Sequence, residues 1–231
     1  MLKRLLTAVL AVLVVGFAAT FIYWKPYWIP AGSMKPTLLI GDYVMVTRFG
    51  GAPEPGKVVV FRHPVSGVDF IKRVMAMPGD RIQIIDGQVH LNDIPVPLVA
   101  AAPFVEVMDR QGRHGNLPRC ANGAIPVGQD CVKDQFTETL PTDQSYNVLN
   151  IGNQAMDQTG VFVVPDGHFF VMGDNRDNSS DSRIPLDARG VGFVPFQNYQ
   201  GRADFILFSG AGRSLLDVTK WRGDRFLVSV K

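Results

Sequence analysis

Residues 5–24, LLTAVLAVLVVGFAATFIYW, form one uncharged and almost wholly apolar run. Twenty residues at helical rise give roughly 30 Å, enough to cross the hydrocarbon core of a bilayer. Lys3 and Arg4 precede the run, so the positive-inside tendency predicts a cytoplasmic N-terminus at 1–4 and export of everything beyond residue 24. Tyr23, Trp24, Tyr27 and Trp28 then form the aromatic cluster expected at the outer interface. A cleavable signal peptide is the competing reading, with an apolar segment at 5–15 and a small-x-small site at Gly16-Phe17-Ala18. The run continues through Ile22 into the aromatic cluster, which favours a retained single-pass anchor. Either way the body lies outside the cytoplasm.

Beyond the run the pattern changes to short alternating or apolar segments cut by Gly and Pro. Strands are predicted at 42–49, 57–62, 68–75 and 81–85, and again at 161–164, 168–172, 192–196 and 202–208. Between them, residues 92–160 are more polar and weakly patterned. No repeat and no helical period appears outside the anchor. The reading is a mostly β protein: an N-terminal transmembrane helix, a β-sheet catalytic core from 25–80 and 166–231, and a smaller, non-catalytic β-rich region inserted at 81–165.

Charge adds an exclusion. The net charge is +2, with no concentrated basic face in the sequence, so nucleic acid is not an expected partner. The two cysteines, Cys120 and Cys131, lie too far apart for a CxxC redox pair, and an exported body would let them form a structural disulfide. Two unpaired thiols are the alternative.

Three segments carry candidate chemistry. In Ile29-Pro30-Ala31-Gly32-Ser33-Met34-Lys35-Pro36-Thr37-Leu38, glycine and prolines would hold the Ser33 hydroxyl on a rigid loop, as a nucleophile requires, although most serines in such loops are turn residues. A serine needs a base, and none of His63, His90, His114 and His168 sits in a recognisable triad setting. Lys72 lies in an otherwise apolar strand and, with period 2, shares a face with Phe70 and Val74. Burial there would lower its pKa enough for a neutral amine to accept a proton; an edge-strand lysine with its head in water is the plainer reading. The third segment, GDNRDNSSDSR at 173–183, is dense enough in Asp, Asn, Arg and Ser for a hydrogen-bonded network, a surface turn or a calcium loop, though it lacks the terminal Glu of an EF-hand.

Taken in order, these segments resemble bacterial type I signal (leader) peptidase. The resemblance rests on Gly-Ser-Met-x-Pro-Thr-Leu after a transmembrane run, Gly41-Asp42-Tyr43-Val44, Phe70-Ile71-Lys72-Arg73-Val74 with Pro78-Gly79-Asp80, GDNRDNSxDSR, and the closing Gly192-Phe193-Val194-Pro195 and Gly201-Arg202-Ala203. It covers most of 25–80 and 166–209 and little of the region between.

The resemblance implies a membrane-bound serine endopeptidase, without metal or cofactor, that removes signal peptides from exported preproteins at the outer face of the cytoplasmic membrane. Ser33 matches the nucleophile, Lys72 the general base, Ser179 the hydroxyl that positions the lysine, and Asp181 the carboxylate supporting it. Ile29, Pro30, Met34, Leu38, Phe70 and Ile71 match the pockets for small residues at −1 and −3. Ala31 departs from the pattern: relatives commonly carry Ser there, whose hydroxyl helps bind the oxyanion, which leaves the Ser33 backbone N–H for that role. The expected partners are preprotein signal peptides and the lipid bilayer; nothing indicates an oligomeric state. A maturation peptidase of the same chemistry for pilin or conjugation substrates, and a membrane-tethered β domain that binds peptides without cutting them, are the alternatives.

Overall fold

The structure is a computed structural model that describes residues 22–49, 51–112, 115–212 and 217–231, with Lys3, Arg4, Thr7, Val9, Leu10 and Gly16. Most of the expected anchor at 5–24, and His114, therefore lie outside the described residues. Among the described residues no helix is long and apolar enough to cross a membrane.

Fifteen strands are present among the described residues: β1 (Trp24–Trp28), β2 (Asp42–Thr47), β3 (Val58–Arg62), β4 (Asp69–Ala76), β5 (Arg81–Ile85), β6 (Gln88–Leu91), β7 (Ile94–Pro95), β8 (Leu98–Val107), β9 (Asp130–Thr139), β10 (Ser145–Asn150), β11 (Phe162–Val163), β12 (His168–Met172), β13 (Val194–Pro195), β14 (Tyr199–Ser209) and β15 (Val228–Ser229). The largest sheet runs β1-β2-β14-β3-β4-β12-β13, with β15 also on β14. Two smaller sheets, β10-β9-β8 and β11-β5-β6-β7, come from residues between β4 and β12. The body is mostly β.

β3 reads as a continuous apolar run because both faces of the large sheet are covered. Val58 and Val60 pack with Ile29, Met34, Leu38, Val44 and Val46 on one side. Val59 and Phe61 pack with Val74, Phe169 and Val171 on the other. A third cluster joins Met75 and Phe170 of the large sheet to Ile82, Val89, Leu140 and Tyr146 of the smaller ones, so the intervening residues share a core with the strands on either side of them.

Several elements differ from the sequence expectation. Trp24 opens β1 instead of closing an apolar helix: its indole N–H donates to Asp204 at 2.9 Å and its ring meets Phe205 edge-on. Pro26 is tolerated because β1 is an edge strand. β8, β9 and β10 lie in the stretch that looked weakly patterned. The buried positions of β9 are Cys131, Lys133 and Glu138, which no apolar alternation would reveal. β8 contains Pro103 where its register against β9 shifts.

Candidate active site

Ser33 sits on the turn-rich segment between β1 and β2. Met34 and Leu38 on either side of the turn are wholly buried and act as its apolar anchors. The Leu38 N–H donates to the Met34 carbonyl at 2.9 Å, and the Asp42 carboxylate accepts from the Leu39 N–H at 2.8 Å. Asn175 clamps the turn from across the fold: its backbone N–H donates to the Ser33 carbonyl at 3.0 Å and its side-chain amide to the Gly32 carbonyl at 2.9 Å. Gly173 permits this approach, since a Cβ there would come within 2.5 Å of the Ser33 carbonyl oxygen and 2.3 Å of Ser179 Oγ.

Lys72 and Arg73 are adjacent on β4 and therefore point to opposite faces. Lys72 Nζ lies 2.7 Å from Ser33 Oγ and donates to the Ile71 carbonyl at 3.1 Å. It also stands 5.6 Å from the centre of the Phe70 ring. The residue is only 4% exposed. Burial lowers its pKa to about 8; the charges of Asp181 and Asp174 oppose that fall and Arg183 reinforces it.

Arg73, fully buried, forms a bidentate pair with Asp174 at 2.8 and 2.7 Å. It also donates to the Gly56 carbonyl at 2.6 Å and stacks on the Tyr146 ring at 3.7 Å. Thr37, four residues past Ser33, donates its hydroxyl to the same Asp174 at 2.5 Å. One guanidinium thus ties β4, the serine loop, the 173–183 loop and the smaller sheet together. Arg176 adds a second tie through a bidentate pair with Glu138 of β9 at 2.6 and 2.8 Å.

Asp181 accepts from the Gly173 N–H at 3.0 Å and from Arg183 at 2.9 Å through two nitrogens. Burial pushes its carboxyl up, but Arg183, together with hydrogen bonds from the Gly173 N–H and Ser179, outweighs that and holds it below the usual range. The Ser179 hydroxyl is buried beside Gly173, faces Asp181 and also favours its ionised form.

Two clefts meet at Ser33. A mostly apolar one of about 310 Å³ is lined by Ile29, Pro30, Ala31, Phe70 and Ile71, with Ser33 and Lys72 at its end. A more polar one of about 320 Å³ shares Ala31, Ser33 and Asn178 with it. Of the residues assigned to substrate pockets, Ile29, Pro30, Phe70 and Ile71 line the apolar cleft. Met34 and Leu38 do not: both are sealed in the core beneath it, because the turn needs them as anchors. Ala31 is exposed at the junction, and the Ser33 backbone N–H donates to no acceptor among the described residues. Cys120 and Cys131 are joined as a disulfide. His63, His90 and His168 each hydrogen-bond a carbonyl away from Ser33: those of Gly190, Gln88 and Asp166.

Sequence reasoning missed Asn175, the Arg73–Asp174 pair and a buried cluster in which Lys35 and Lys133 both pair with Glu106. The signal was present in part. Lys35 stands two residues from the serine, but its partners, Glu106 on β8 and Gln111 just beyond it, lie far away in sequence.

A serine hydroxyl held against a buried amine at the mouth of an apolar cleft on a β body is an arrangement suited to nucleophilic acyl transfer, with lysine in the place histidine takes elsewhere. The family model for signal peptidase, peptidase S26, matches residues 1–208. Signal peptidase I of Rickettsia typhi is 31% identical over 251 residues, spanning 95% of this chain and 83% of the relative. That of Rickettsia canadensis is 32% identical over 231 residues, 87% of this chain and 75% of the relative. A solved signal peptidase I from Enterococcus faecalis overlaps 66% of this chain and 97% of its own, with a TM-score of 0.34 and 19% identity. The chain belongs to the signal peptidase family, peptidase S26, and is a hydrolase of the signal peptidase I type.

Proposed function

We propose that this enzyme removes signal peptides from exported preproteins with Ser33 as nucleophile and Lys72 as general base. The observation that carries the reading is the 2.7 Å contact between Lys72 Nζ and Ser33 Oγ, made by an amine whose pKa burial has lowered to about 8. A substantial neutral fraction then exists near neutral pH, and the neutral amine can accept the serine proton.

Ser33 Oγ attacks the scissile carbonyl carbon as its proton passes to Lys72. The oxyanion forms against the Ser33 backbone N–H. Lys72 then returns the proton to the leaving amine, which departs as the new N-terminus of the mature protein. A water attacks the acyl ester, giving one proton to Lys72; the C–O bond to Ser33 breaks, Lys72 restores the hydroxyl proton, and the signal peptide leaves as a carboxylic acid whose remaining proton passes to solvent. The buried Ser179 hydroxyl, close to Gly173 and Asp181, supports a positioning role toward the amine, and the paired Asp181 supports a fixed electrostatic one.

The apolar cleft accommodates the small side chains at −1 and −3, walled by Ile29, Phe70 and Ile71. The uncharged run at 5–24 holds the enzyme in the cytoplasmic membrane with the body on its outer side, an oxidising setting that accords with the disulfide. Tethering places the site beside a signal peptide that is itself in the bilayer and raises its effective concentration.

The test is to incubate wild type, Ser33→Ala and Lys72→Ala, full length in detergent, with a preprotein and to sequence any new N-terminus. Wild type should yield a single cut after a small residue and both variants none. Substantial turnover by either variant would remove the dyad.

A further inference from the structure

The second cleft that meets Ser33 has a different chemistry. Its described lining includes Lys35, Gln111, Asn116, Arg119, Lys133 and Asn178: three cations and no carboxylate. Behind it, Lys35 and Lys133 share the single carboxylate of Glu106, and Gln111 donates to that carboxylate at 2.7 Å. Two ammonium groups share one carboxylate, although burial lowers the pKa of Lys35, and Arg119 adds a charge at the rim that the Asp177 carboxylate, itself outside the lining, offsets in part. Arg119 is exposed, yet it is held in place: its guanidinium donates to the Asp177 carbonyl at 2.5 Å, and the next residue, Cys120, is stapled to β9 by the disulfide.

The two clefts share Ala31, Ser33 and Asn178, so an extended peptide whose scissile bond lies over Ser33 enters one with its signal-peptide side and the other with its mature side. Small apolar side chains match the first. We propose that the polar cleft receives the first residues of the mature protein, and that the excess of cations over carboxylates in its lining makes the enzyme favour acidic and disfavour basic side chains at +1 and +2. The inference rests on the Ser33 reading above. A partly screened charge pair at the rim of a cleft discriminates modestly, by roughly two- to five-fold in rate.

The experiment uses the full-length enzyme in detergent and peptides identical except for Glu, Gln or Lys at +1 and +2, with Ala at −3 and −1. Wild-type kcat/KM should fall in the order Glu, Gln, Lys. The Glu-to-Lys ratio should shrink as salt rises from about 50 mM to about 500 mM, because the screening length falls from about 14 Å to about 4 Å over that range. Arg119→Glu should collapse or invert the ratio, and Arg119→Gln should bring it to an intermediate value, with thermal unfolding confirming that both variants fold. Equal wild-type rates for Glu and Lys, a ratio unmoved in folded Arg119→Glu and Arg119→Gln, or a charge preference seen only at positions before the cut would each overturn the proposal. With Ser33→Ala inactive on every peptide, such a result removes this inference alone; residual Ser33→Ala cleavage removes the dyad whatever the ratio.

Discussion

Replacing Lys72 with methionine should abolish cleavage and yet stabilise the protein below pH 8. The side chain keeps much of its length and loses a charge that the fold buries almost completely. Lowering the amine pKa from its ordinary 10.5 to about 8 corresponds to about 3 kcal/mol of destabilised ammonium. Methionine removes that cost and forfeits the contacts to Ser33 Oγ and the Ile71 carbonyl, together worth about 1–2 kcal/mol. The net gain at pH 7 is about 1–2 kcal/mol, or roughly 2–8 °C in Tm for a body of this size. The pH dependence fixes the cause. In the unfolded chain the lysine titrates near 10.5 and in the folded protein near 8, so the unfolded state binds more protons between those values. The wild-type penalty is complete below pH 8, fades as pH rises, and is gone above 10.5. The Tm advantage of Lys72→Met should therefore hold to about pH 8, shrink above it, pass through zero between about pH 9 and 10, and reverse by the value of the lost contacts above about 10.5. Wild-type kcat/KM should rise over the lower part of the same range, half-maximal near pH 8, as the amine becomes neutral. Differential scanning fluorimetry of both proteins across that pH series reads the effect. A variant that is less stable at every pH, by a constant amount, would show that the amine is not penalised by burial and would refute the reasoning.

Two other substitutions probe the surroundings. Ala31→Ser adds a hydroxyl at the exposed junction of the two clefts, and kcat should rise; a lost oxyanion donor costs about 2.7–4 kcal/mol in a comparable site, so an unchanged or lower kcat would show that another donor already serves. Asp174→Asn breaks the buried bidentate pair and leaves the Arg73 guanidinium uncompensated, which should cost about 3–5 kcal/mol of stability, read as a fall in Tm of roughly 10 °C.

Much of the strand pattern could be read along the chain, and the reason is local. β2, β3, β4, β5, β12 and β14 carry apolar residues at short period between Gly and Pro, because their faces rest on apolar cores. β8, β9 and β10 could not be read this way. Their buried positions include Lys133 and Glu138, each satisfied by a partner elsewhere, Glu106 for one and Arg176 with Tyr146 for the other. A polar residue that is buried because it is paired looks the same in sequence as one that is exposed.

The sequence by itself determined that Ser33 lies on a Gly- and Pro-restrained loop and that Lys72 lies in an apolar strand, since turn chemistry and period-2 alternation are properties of neighbouring residues. That these two side chains stand 2.7 Å apart, across 39 positions, was decided by tertiary structure. So was the fate of Met34 and Leu38, which look no different along the chain from Ile29 but are used to anchor the turn instead of lining the cleft. The clamp by Asn175 and the guanidinium of Arg73 that binds four segments likewise arise only when β4 and β12 pair and bring the 173–183 loop against the serine. Hydrogen bonds and desolvation act over a few ångströms, so they depend on which strands are neighbours in space, and no local pattern of residues records that.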